Sequence, residues 1–182
     1  MLVRAPWIEH SAGRKVSVPV EAVDLYRTLA TLADTPPVEP GVDGKSLAPL
    51  LLGQALSGGQ IARSQFPRCY SALNRTANTS NLPTLDRVDC QDVPRDSFDL
   101  MGYSIRTTKW RFTEWRVWDG GTLRARWDIP PTASELYAHA VDEVPFAGED
   151  ENIIHDPNVA SEVVFLRAQL LEAFSKSKSS VF

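Results

Sequence analysis

The sequence predicts a mixed α/β chain: a small antiparallel sheet, a C-terminal helix covering its apolar face, and a helical region ahead of both. Three observations carry this. In Met101–Trp115, Tyr103, Ile105 and Thr107 alternate with Ser104, Arg106 and Thr108, and Trp110, Phe112 and Glu114 alternate with Arg111, Thr113 and Trp115. Period-two alternation among aromatic and β-branched residues is the strand signal, and Thr107–Lys109 makes the run a hairpin or one long bent strand. Arg116-Val-Trp118 leads into Asp119-Gly-Gly121, which is turn chemistry. Val163, Val164, Leu166, Leu170, Leu171 and Phe174 recur at helical spacing within Asn158–Phe174, an amphipathic helix suited to lie across the sheet.

The remaining elements follow from local chemistry. Leu2-Val3 resembles a strand end running into the Ala-Pro-Trp7 turn, and Val16–Val20 is a short extended piece. Apolar residues at 22, 25, 26, 29, 32 and 33 give a helix over Val20–Ala33 with one buried face, stopped by Asp34-Thr-Pro-Pro37. Lys45–Gly53 is a short helix, with Ser46 as its N-cap and Gly53 as its stop. Ile61–Phe66 is a strand candidate entering Pro67-Arg68-Cys69, and Ala133–Tyr137 is another. Residues 70–97 are a polar loop, long for a compact domain. Asp142–Asp150 is an acidic loop, and Asp156 caps the last helix. The division that follows is 1–60 and 61–182.

With 182 residues, 43% hydrophobic, the chain can build a packed core, and a net charge of -4 argues against a nucleic-acid partner, whose phosphates need a basic surface. No run is long and apolar enough to span a bilayer, so no membrane partner is expected. Arg4, Glu9 and His10 interrupt the N-terminal residues, which do not read as a signal peptide.

The two cysteines, Cys69 and Cys90, bracket the sequons Asn74-Arg-Thr76 and Asn78-Thr-Ser80. Asn74 and Asn78 are therefore candidate glycosylation sites. Two readings stand for the cysteines: a disulfide closing the loop, in keeping with the secretory pathway, or two free thiols in a cytosolic chain.

A search for reacting groups finds little. His10, His139 and His155 are far apart, with no helix-face ligand spacing, and there is no Cys-x-x-Cys, phosphate loop or nucleophile elbow. The acidic residues of 142–151 lack the glycine and spacing of a calcium loop. No cofactor is expected in this chain. The five tryptophans, Trp7, Trp110, Trp115, Trp118 and Trp127, have the flat faces that stack on sugars, although aromatics at strand spacing more often fill cores.

Five phrases then fall in a specific order: Ser64-Gln-Phe-Pro-Arg-Cys69, Met101-Gly-Tyr-Ser-Ile-Arg-Thr107, Trp110-Arg-Phe-Thr-Glu-Trp115, Glu135-Leu-Tyr137, and Asp142 through Glu151-Asn152. This order resembles the C-terminal end of sulfatases, most of all the iduronate-2-sulfatase branch. Val23–Ala33, Asp43-Gly-Lys-Ser-Leu47 and Leu2–Trp7 resemble that family as well. The resemblance covers nearly the whole chain but only about the C-terminal third of a full sulfatase. It implies the alkaline-phosphatase-like α/β sulfatase fold, C-terminal part only. Residues 1–60 would be a remnant of the large α/β subdomain, and 61–182 the C-terminal subdomain with its Cys loop, 69–90.

Sulfatases hydrolyse sulfate esters with a formylglycine, made from a Cys/Ser-x-Pro/Ala-x-Arg motif, beside a calcium ion. Neither Cys69 nor Cys90 begins such a motif, and the family's metal segments lie upstream of this stretch. The resemblance implies a fragment that is inactive alone, whose partners would be the N-terminal catalytic subdomain and, through the full enzyme, a sulfated glycan. Calcium is expected in that full-length enzyme, and a lysosomal or extracellular location goes with it. In this branch a basic residue in the loop before the Met-Gly-Tyr strand contacts the uronate carboxylate. Arg87 and Arg95 stand in that loop, and Arg95, nearer Met101, is the candidate for substrate binding. Arg68 matches a family arginine read as structural. The contrasting reading is a non-catalytic carbohydrate-binding or interaction module. The apolar faces of Val20–Ala33 and Leu47–Leu52 favour the fragment, because a stand-alone module would have polar residues there.

Overall fold

A computed structural model of the chain describes residues 1–9, 11–35, 39–54, 61–70, 90, 92–139 and 149–175. It divides into two compact units, Met1–Ala62 and Arg63–Phe182.

The first unit holds helices α1 (Asp24–Leu32) and α2 (Ala48–Leu51). Helix α1 turns its polar stripe inward. Asp24 and Thr28 are buried, whereas Leu25, Tyr26 and Leu29 are 39%, 61% and 65% exposed. The cause is hydrogen bonding to the segment that leads into α2. The Asp24 carboxylate accepts from the Lys45 and Glu21 N–H groups at 2.8 and 3.0 Å, and Thr28 Oγ1 accepts from Leu47 N–H at 2.8 Å. Leaving such a buried amide without a partner would cost about 1–3 kcal/mol, and the polar stripe of α1 supplies the partners on its inner face. The buried apolar face expected of this helix is thus turned outward. Gly44, at φ +90°, passes so close to the Val23 carbonyl that a Cβ would overlap it.

Two further expectations are corrected in this unit. Leu2-Val3 is coil and pairs with no strand among the described residues, and the Val16–Val20 stretch is likewise unpaired. Leu47, not Ser46, is the N-cap of α2; Ser46 Oγ accepts from Ala48 N–H at 3.3 Å, a turn one residue earlier.

The second unit is a five-stranded sheet: β1 (Ala62–Arg68), β2 (Leu100–Arg106), β3 (Trp110–Asp119), β4 (Arg124–Ala125) and β5 (Ala133–Ala138). The order is β1-β2-β3, with β4 and β5 both pairing β3. The Thr107–Lys109 break is a tight hairpin that pairs Ile105 with Phe112 and Gly102 with Trp115. Thr107 Oγ1 accepts from Lys109 and Trp110 N–H at 3.2 and 2.9 Å and so shapes the turn. Strand β5 runs antiparallel on the other side of β3, with Leu136 opposite Phe112. The free edge of β5 meets Asn152: Leu136 N–H donates to its Oδ1 at 2.9 Å, and its Nδ2 donates to the Ser134 carbonyl at 3.2 Å.

Helix α3 (Ala160–Phe174) covers one face of this sheet, entered through a 3-10 turn (Pro157–Val159) whose Asn158 N–H is capped by the Asp156 carboxylate. Ile105, Phe112 and Leu136 from the sheet and Leu166 and Leu170 from the helix are at most 1% exposed. Each contributes roughly 1.5–3 kcal/mol by burial. Val164 leaves the expected stripe and is 68% exposed, because the packed positions are Val163, Leu166 and Leu170. Tyr103 completes the core between the Trp127 and Phe174 rings, 4.8 Å from each.

Candidate functional site

Cys90 and residues 92–99, which feed β2, are tied down from three sides. Cys69, at the end of β1, and Cys90 are joined in a disulfide with Cα atoms 6.0 Å apart, and both are buried. The Arg68 carbonyl accepts from Asp99 N–H at 2.8 Å, and the Asp99 carbonyl accepts from Trp118 N–H at 3.0 Å. Pro94 sets the backbone for a 3-10 turn at Arg95–Ser97, closed by Ser97 N–H on the Pro94 carbonyl at 2.9 Å.

Arg95 sits on this turn with its side chain exposed. Its backbone is held by Trp118, whose Nε1–H donates to the Arg95 carbonyl at 2.8 Å. Phe98 packs against the same indole, ring centres 6.2 Å apart. At the Asp119-Gly-Gly121 turn, Gly120 lies so close to Asp96 that a Cβ would overlap the Asp96 carbonyl oxygen. A glycine-only contact, an indole hydrogen bond and a disulfide therefore hold an exposed cation on a fixed base. Such a guanidinium can take a carboxylate or a sulfate through two parallel hydrogen bonds. It cannot deliver a proton or a nucleophile, so the arrangement binds rather than reacts.

The other expected positions divide between described and undescribed residues. Asn74, Asn78 and Arg87 lie outside the described residues, as do residues 142–148 of the acidic loop. Arg68 has its guanidinium 5.0 Å from the Phe66 ring centre and 4.8 Å from that of Trp115. Trp115 lies flat against β2 because Gly102 opposite has no Cβ, and its Nε1–H donates to Glu135 at 2.7 Å. Among the described residues, no group of three or more His, Cys, Asp or Glu is placed to hold a metal ion, and no helix is long and apolar enough to cross a membrane.

Sequence reasoning missed a buried charge cluster. Glu114 is 0% exposed; its Oε2 accepts from Arg116 Nε at 3.0 Å and its Oε1 from Arg167 Nε at 2.6 Å. Arg116 also donates to the Ile129 carbonyl at 2.7 Å and lies over the Trp127 ring. The strand alternation places Glu114 on the Phe112 face, which was the available signal.

No protein-family profile matches the chain, and no curated protein matches it. Among solved structures, it is similar to a proposed sulfatase from Bacteroides thetaiotaomicron at 20% identity and a TM-score of 0.49, over 85% of this chain and 24% of the other. A 2-O GAG sulfatase gives 20% identity and a TM-score of 0.49, over 86% of this chain and 25% of that one. The chain thus spans about a quarter of the length of either protein.

Proposed function

We propose that this chain is the C-terminal part of a sulfatase-like hydrolase of the iduronate-2-sulfatase type, contributing a wall of the substrate pocket rather than the reacting groups. The observation that carries this reading is the fixed base beneath Arg95: an exposed guanidinium, in the loop where the resemblance expects a uronate contact, held by Trp118, Gly120 and the Cys69–Cys90 disulfide. The phrases that carry the resemblance also fold together, since Ser64–Arg68, Met101–Arg106, Trp110–Trp115 and Glu135–Tyr137 all fall on one sheet. In this role the chain binds and orients a sulfated uronic acid, while sulfate ester cleavage and the calcium site belong to the N-terminal catalytic subdomain. The outward apolar face of α1, at Leu25, Tyr26 and Leu29, supports a protein partner of that kind. The disulfide supports an oxidising compartment, lysosomal or extracellular, with Asn74 and Asn78 as glycosylation sites.

The test is to sequence the transcript upstream of Met1. An in-frame segment encoding Cys/Ser-x-Pro/Ala-x-Arg and an Asp-His pair supports the reading; an in-frame stop codon directly before Met1 overturns it. One observation favours the alternative carbohydrate-binding module: Phe66 is 52% exposed beside Arg68, a flat aromatic face next to a cation. Glycan binding by this chain alone, lost in Arg95→Ala and in Phe66→Ala, would favour the module.

A further inference from the structure

The hairpin end of the sheet, on the face away from helix α3, brings two arginines together. Arg106 and Arg111 are register partners across β2 and β3. Like charges directly opposite each other destabilise a strand pair unless an anion lies between them. Glu149 supplies one. It forms an ion pair with Arg111, and its Oε1 lies 3.1 Å from His139 Nε2. The nearby carboxylate of Glu135 is engaged with Trp115 Nε1 at 2.7 Å. Among the described residues Glu149 forms its ion pair with Arg111, and Glu135, a second carboxylate nearby, is turned to an indole.

The arrangement leaves one atom of Arg106 unserved. Among the described residues its Nη1, which is buried, has no hydrogen-bond acceptor. A buried charged donor left unpaired is costly, and guanidinium N–H groups pair best with oxyanions, two at a time. Burial also pushes the Arg106 pKa down, Glu149 opposes that shift, and Arg111 adds to it. The Arg111 side chain is 40% exposed, so the cluster opens to solvent on its Arg111 side.

We propose that this end of the sheet is a site for a small oxyanion, held between the guanidinium groups of Arg106 and Arg111 and separate from the Arg95 turn. The ligand is a tetrahedral or planar oxyanion of one or two negative charges, either a free ion or a sulfate or carboxylate borne on a larger molecule. The site stands on the register pairing of Arg106 with Arg111 and on the unpaired Nη1, and does not depend on the hydrolase reading.

The test titrates the full chain with sodium sulfate at constant ionic strength set by chloride, following the Nε–Hε resonances of Arg106 and Arg111 and the thermal midpoint. Saturable shifts at both arginines are expected. Arg106→Gln and Arg111→Gln should each weaken binding about tenfold or more, the loss of one charge-assisted hydrogen bond. Arg124→Gln, on β4 beside the other end of β3, should leave it unchanged. Arg111→Gln alters a part-exposed side chain and keeps the test valid if Arg106→Gln does not fold. A second arm uses a sulfated trisaccharide. Tighter binding than inorganic sulfate, lost in the same variants, assigns a carried group, and equal binding per sulfate assigns the free ion. A response no larger than that to chloride, or one undiminished in both arginine variants, overturns the site.

Discussion

Arg167, in the middle of helix α3, donates its Nε to the buried carboxylate of Glu114 on strand β3 at 2.6 Å, and its guanidinium lies over the Phe112 ring. This contact joins helix to sheet by charge as well as by apolar packing. Glu114 receives Arg116 from its own strand and Arg167 from the helix, so each of its oxygens has a cationic donor.

Removing either side of this arrangement should destabilise the second unit unequally. Glu114→Ala strands Arg116, itself 4% exposed, and should cost about 3–5 kcal/mol. Arg167→Ala leaves Arg116 to neutralise the carboxylate and should cost about 1–3 kcal/mol, toward the low end because the Arg167 side chain is 41% exposed. Urea unfolding midpoints measure both, and the double variant should cost less than the two added together. Equal costs for the two single variants would show that the helix contact matters as much as the strand contact.

Tyr103 should make the fold sensitive to alkali. Burial between Trp127 and Phe174 pushes its phenol up to about 12. The unfolded chain ionises near pH 10 and the folded one two units higher, so the unfolded state holds fewer protons in between. Stability is fully present below about pH 10 and falls as pH rises toward 12, at up to roughly 1.4 kcal/mol per pH unit. Unfolding midpoints between pH 9 and 12 should fall steeply in the unaltered protein and less steeply in Tyr103→Phe.

The Arg95 turn should respond to residues that never touch a ligand. Trp118→Phe removes the hydrogen bond to the Arg95 carbonyl, and Gly120→Ala forces a methyl group against the Asp96 carbonyl. Each should weaken binding of a sulfated uronate oligosaccharide by about tenfold, through a turn that no longer presents its guanidinium in one place. Far-ultraviolet circular dichroism should be unchanged for Trp118→Phe. Binding that drops in Arg95→Ala but not in either of these would show that the turn's rigidity is irrelevant.

The outer face of α1 should govern association. Tyr26→Ser with Leu29→Ser removes two large side chains that are 61% and 65% exposed. Thermal stability should change by less than about 0.5 kcal/mol, the usual range for surface substitutions. Sedimentation velocity should show less self-association than for the unaltered chain.

The strands were legible because period-two alternation survives in both. Tyr103, Ile105 and Phe112 face the core as their spacing requires, and the Thr107–Lys109 break is the hairpin turn. The helices were legible as helices, but α1 was misread for its buried face. A hydropathy pattern records what a side chain prefers, not that the backbone at Lys45 and Leu47 needs the Asp24 carboxylate and the Thr28 hydroxyl more. Glu114 could be placed on the core face from the sequence, but its partner, 53 residues further on, could not, because nothing local links the two. Arg95 entered only through resemblance. Its spacing carries no chemistry, and the contacts that hold its turn come from Trp118 and Gly120 beyond an intervening strand.

Asn152 has a bearing on how this protein behaves in a crowd. A side-chain amide carries the same donor and acceptor as a peptide bond, and here it occupies Leu136 N–H and the Ser134 carbonyl where a neighbouring strand would bind. One residue thus counterfeits a strand and leaves that margin of the sheet with little to offer a stranger. At the opposite margin, β1 includes Pro67, which brings no donor of its own. Replacing Asn152 with leucine would leave the fold its core but turn a blunted margin into an adhesive one, so the amide serves solubility as well as structure.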